Sequence, residues 1–99
     1  MEKLISDSGS LILFLIKADL RANKLLASMQ EAGFTSGYYY TDLYIPIFEL
    51  MNFDDKEREA VADMYVQYVE GFCKLEISEF YSRQNELANM LYNNLLKLK

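Results

Sequence analysis

Leu11-Ile12-Leu13-Phe14-Leu15-Ile16-Lys17-Ala18-Asp19-Leu20-Arg21-Ala22-Asn23-Lys24-Leu25-Leu26-Ala27-Ser28-Met29 is the stretch whose reading decides the fold. Within it Leu11, Leu15, Ala18, Ala22, Leu25 and Met29 recur at alternating steps of four and three residues, the spacing of one helical seam. Ile12, Leu13, Phe14 and Ile16 make the first turns apolar on nearly every side, and such a helix has to be enclosed by other elements. The stretch is therefore expected to be the central helix of a bundle. Its tightest crossing should lie at Ala18 and Ala22, where small side chains let a neighbouring backbone approach.

Outward from this helix, Ser8 or Ser10 is placed to cap its start, and Gly33 to supply the left-handed residue that closes it near Ala32. Gly33–Gly37 then reads as a loop. The aromatic run from Tyr38 to Met51 has the content of a strand, but no second strand-like run exists to pair with it. A short helix is expected instead, starting at Thr41 or Asp42 with Pro46 in or near its first turn. Asp54 with Glu57 three residues later opens the next helix, whose apolar face is Val61, Met64, Tyr65, Tyr68, Phe72 and Leu75.

A further face follows in Ile77, Phe80, Tyr81, Leu87, Leu91, Leu95 and Leu98. The step from Leu75 to Ile77 rotates by about 200°, so the two faces cannot share one straight seam. Either the chain breaks near Lys74–Ser78, with Ser78 capping a fourth helix, or one long helix serves two sets of partners; the break is favoured. The result is an all-α fold, a single domain over residues 1–99 in the form of a small bundle of about four helices.

Hydrophobic residues make up 52% of the 99 residues, without counting glycine. That is more than the usual ~45–50% that does include it. One small core cannot shelter the surplus, and a homodimer is the simplest cover. The formal charge of −5 disfavours nucleic acid as a partner. Cys73 is the only cysteine, which fits a reducing compartment, and the first apolar run stops at Lys17, too short for a membrane anchor. A cytoplasmic protein is expected.

The chain has no histidine, which removes the commonest general base and transition-metal ligand. Glu76 and Glu79 have the spacing of a carboxylate metal site but lack its histidine, and Glu79 with Arg83 reads as a surface pair. Cys73 reads as a small packed thiol. Lys17, Arg21 and Lys24 share a face that should keep the central helix's exposed side wet. Glu59, Asp63 and Glu70 form an acidic counterpart on the third helix.

No catalytic, cofactor or metal motif is present, so an enzyme is not expected. Tyr38, Tyr39, Tyr40 and Tyr44 are the candidate partner-binding residues, because tyrosine offers a large contact area with few rotors and a polar tip. The functional expectation is a non-enzymatic interaction or regulatory module that acts by self-association and presents this aromatic surface to a protein partner. Two alternatives belong to other classes: a small-molecule binder with a Tyr-lined pocket completed by Asp42 or Glu49, and an acidic inhibitor that mimics nucleic acid.

Overall fold

The long apolar stretch folds as a single helix, α1 (Ser8–Glu31), in a computed structural model that describes residues 8–33 and 44–98. Gly33 closes it as expected, at φ 80°, with its amide donating to the Gln30 carbonyl at 3.0 Å. Only glycine takes that backbone shape without a steric cost. Ser10 lies inside the helix rather than at its cap, and the residues ahead of Ser8 fall outside the described part.

The aromatic run is helical where it is described: α2 spans Tyr44–Leu50, with Pro46 in its first turn, where a missing amide hydrogen forfeits no helix bond. Thr41 and Asp42, the expected start, lie outside the described residues. At the far end Asn52 takes φ 60°, its amide donates to Glu49 and that of Phe53 to Phe48. This double closure is completed by the Phe53 ring packing edge-on against Phe48, with centroids 5.9 Å apart.

Helix α3 (Asp55–Cys73) is capped by Asp54, whose Oδ1 accepts the Glu57 amide at 2.8 Å. Its buried residues are Val61, Tyr65 and Val69, flanked by half-buried Met64, Tyr68 and Phe72. The chain then breaks at Lys74–Glu76, the favoured of the two expectations for this junction. It continues as α4 (Ile77–Ser82) and, after a second break at Arg83, as α5 (Gln84–Lys97).

The cap residue of α4 is Glu76, not Ser78, which is exposed in the helix itself. The second break also changes the expected face. Ile77 is 57% exposed, and Tyr81 and Leu98 also face outward. The core takes Phe80, Leu87, Ala88, Leu91 and Leu95. The described residues thus form an all-α bundle of five short and long helices with no strand.

Helix α1 packs against α2, α3 and α5, so its central position stands. Its enclosure does not, because the buried stripe is Ile12, Ile16, Asp19, Leu20, Asn23 and Lys24, and none of the heptad-spaced residues belongs to it. At ~100° per residue the heptad seam lies roughly 140° around the helix from that stripe. Leu11 is 44% exposed, Leu25 57% and the neighbouring Phe14 64%, while Leu15, Ala18, Ala22 and Met29 are only half-buried. Ala18 and Ala22 therefore do not mark a crossing with the other described helices. The seam that looked like the centre of the bundle is its outer wall.

Candidate functional site

Two features of α1 are candidates: a polar cluster on its buried face and the apolar stripe on its open one. The cluster begins with Asp19, which is 1% exposed. Its Oδ2 accepts a short hydrogen bond from the Tyr65 hydroxyl of α3. Its Oδ1 accepts from the Asn23 amide at 3.0 Å, and the same Asn23 Nδ2 donates to the Asp19 carbonyl at 2.8 Å. A buried carboxylate is tolerable when it collects donors in this way. The bond to Tyr65 fixes how α1 and α3 face one another, since sliding either helix by a turn would strand both groups.

One turn further along, Lys24 enters the core at 5% exposure. Its ammonium donates to the Cys73 carbonyl at 2.8 Å and the Leu75 carbonyl at 2.5 Å, and sits 6.0 Å from the centre of the Phe80 ring. The last carbonyls of a helix have no partner within it and carry its negative end. Lys24 satisfies the last of them, that of Cys73, and the Leu75 carbonyl in the break, while the Lys74 amide takes those of Gly71 and Phe72, so the chain breaks after α3 with no glycine or proline at the junction. The expected wet stripe is thereby corrected: Arg21 is exposed, Lys17 reaches Asn85 of α5 at 3.0 Å, and Lys24 is interior.

Burial holds Tyr65 and the nearby Cys73 in their neutral forms. Burial, and then the charge and hydrogen bond of Asp19, hold the Tyr65 hydroxyl far above the ordinary tyrosine range. Burial pushes the Cys73 thiol up to about 11; Lys24 lowers it, but Asp19 and Glu70 act with burial. A thiol so protonated at neutral pH is a poor nucleophile. The cluster is built from groups that satisfy one another, and its evident work is to set helix register.

No family model, no curated protein and no solved structure matches this chain. Its functional reading rests on its own geometry.

Among the four tyrosines singled out in the sequence, Tyr44 is half-buried and packs edge-on against Phe48, with centroids 5.6 Å apart. Tyr38, Tyr39 and Tyr40 lie outside the described residues, as does Asp42, while Glu49 is exposed on α2. Arg83 pairs with Glu79 at 3.2 Å, as the spacing suggested, and also with Glu86 at 2.6 Å. Among the described residues no group of three or more acids and cysteines is arranged to hold a metal ion. No described helix is long and apolar enough to cross a membrane. Glu59, Asp63 and Glu70 are exposed along α3, bracketed by exposed Lys56 and Lys74.

Sequence reasoning missed the cluster because apolar spacing was its guide. Asp19, Asn23 and Lys24 make the second half of the buried stripe polar, so the apolar period there follows the opposite face. A usable signal was present in the spacing of Asp19 and Asn23, four apart, in phase with Ile12 and Ile16.

Proposed function

We propose that the protein is a non-enzymatic interaction module that self-associates through the outer face of α1 and presents its Tyr38–Tyr44 segment to a protein partner. The observation that carries this reading is the row of exposed large apolar side chains along the heptad seam. Leu11, Phe14 and Leu25 stand at least two-fifths exposed in one row, on the helix that the other elements pack behind. Large apolar side chains aligned along one face of a helix mark a contact surface more often than scattered ones do. The inert Cys73 thiol and the mutually satisfied polar cluster favour binding over catalysis. The lone cysteine is in keeping with a reducing compartment such as the cytoplasm.

Sedimentation equilibrium over a wide concentration range tests the reading. The wild type is expected to gain mass reversibly with concentration, and a Phe14→Ser, Leu25→Glu double variant to stay monomeric while keeping its helical content. A wild type that is monomeric throughout, or a variant that associates as well as the wild type, overturns it. For the aromatic surface, Tyr39→Ala with Tyr44→Ala should abolish capture of a partner and leave self-association intact; unchanged capture removes that part of the proposal.

A further inference from the structure

We infer that two copies of this chain pair through α1 in antiparallel orientation, about a two-fold axis that passes between Ala18 and Ala22. This rests on the self-association reading above and specifies its geometry. The seam, with Leu11 and Leu25 exposed and the other four residues half-buried, reads Leu11, Leu15, Ala18, Ala22, Leu25, Met29, which is large, large, small, small, large, large from either end. Running a second copy in the opposite direction sets Leu11 against Met29, Leu15 against Leu25 and Ala18 against Ala22. The small pairs meet at the axis, where two helix backbones come closest, and the large pairs fill the widening gap on each side.

A two-fold contact must be self-complementary. A parallel pair matches every residue with itself whatever the sequence, so it makes no use of this symmetry. Antiparallel helices also set the positive end of each dipole beside the negative end of the other. Among the described residues the α2, α3 and α5 helices lie behind α1, on its Ile12–Ile16–Leu20 side, and Leu11, Phe14 and Leu25 on the other side stay exposed.

The size of the stripe sets the strength. From Leu11 to Met29 the helix rises ~27 Å, and a third of the accessible circumference of a helix this wide gives ~400 Å² per copy, ~800 Å² for the pair. Stable interfaces bury ~1,200–2,000 Å², so this contact belongs with the weak, transient class. Arg21, exposed beside the stripe, meets its own copy near the axis and holds the affinity down.

The test is cross-linking in a Cys73→Ala background, with Leu11→Cys and Met29→Cys made separately and treated with a short thiol cross-linker at a concentration where sedimentation shows pairing. The antiparallel pair predicts efficient cross-linking only when the two variants are mixed, because each position lies ~27 Å from its own copy. Cross-linking of each variant with itself, and not of the mixture, overturns the orientation while leaving self-association standing. Association without any cross-link places the contact on another face and also overturns the inference. A chain that stays monomeric by sedimentation overturns both readings together.

Discussion

Replacing Lys24 by methionine isolates the contribution of the buried ammonium to the bundle. Methionine keeps most of the stem and its apolar packing but removes the donor to the Cys73 and Leu75 carbonyls, which lie 2.8 and 2.5 Å from Nζ. Hydrogen bonds to a charged group contribute about 1.5–3 kcal/mol each. Against that stands the cost of taking an ammonium out of water, which the variant recovers in part. Water also reaches the break at Lys74–Glu76, where Lys74 and Glu76 are exposed, and can replace part of what is lost.

The balance is a net loss of ~2–4 kcal/mol, a large share of the ~5–15 kcal/mol that holds a domain of this size. At ~5 °C per kcal/mol the melting temperature falls by roughly 10–20 °C. Urea unfolding should show the midpoint lowered with the slope unchanged. Arg21→Met is the control, since it removes the same charge one turn earlier at an exposed position and should shift stability by less than ~0.5 kcal/mol. A Lys24→Met protein within ~0.5 kcal/mol of wild type would refute the role given to Lys24 in ending α3.

Asp19→Ala strands the Tyr65 hydroxyl in the core and leaves the Asn23 amide only its bond to the residue-19 carbonyl, and should cost ~2–3 kcal/mol by urea unfolding; a loss under ~1 kcal/mol would show that the cluster does not set the register of α1 against α3. Alkaline stability follows from two folded-state pKa values that lie above the ordinary ones, those of Cys73 and Tyr65. Their contribution is intact below about pH 9 and is lost as pH rises, each group adding a slope of at most ~1.4 kcal/mol per pH unit above its ordinary value. Urea titrations between about pH 8 and pH 11 should show this decline, and Tyr65→Phe should flatten its part above about pH 10. An unchanged slope in that variant would contradict the assignment. Asn52→Ala keeps the β-carbon but removes the short amide side chain that eases a left-handed backbone at φ 60°, and should cost about 1 kcal/mol, read from the melting temperature; no loss would mean that the closure of α2 does not depend on asparagine there.

Local signals in this sequence were legible because they act over a few residues. Gly33 and Asp54 end and begin helices through their own backbone and side-chain chemistry, and Pro46 tolerates only the first turn. The break after α3 was legible from the rotation between Leu75 and Ile77, although the ammonium that satisfies its carbonyls comes from Lys24, some fifty residues away, beyond the reach of any local rule. The face of α1 was misassigned for a related reason. Burial of Asp19 and Lys24 depends on Tyr65, Cys73 and Leu75, so these residues look like surface until the fold brings their partners to them. Ile77 and Tyr81 turned outward because a second break at Arg83, with no glycine or proline to announce it, shortened α4 to little more than a turn.

The outer face of α1 is the surface through which copies of this chain are proposed to meet. A dilution series followed by NMR reads it residue by residue. Concentration-dependent shifts are expected at the exposed Leu11 and Leu25 methyl groups and the Phe14 ring, with the buried Ile16 and Leu20 methyl groups unmoved. Spectra that do not change on dilution, or shifts confined to other exposed residues such as Ile77 and Leu96, would contradict it.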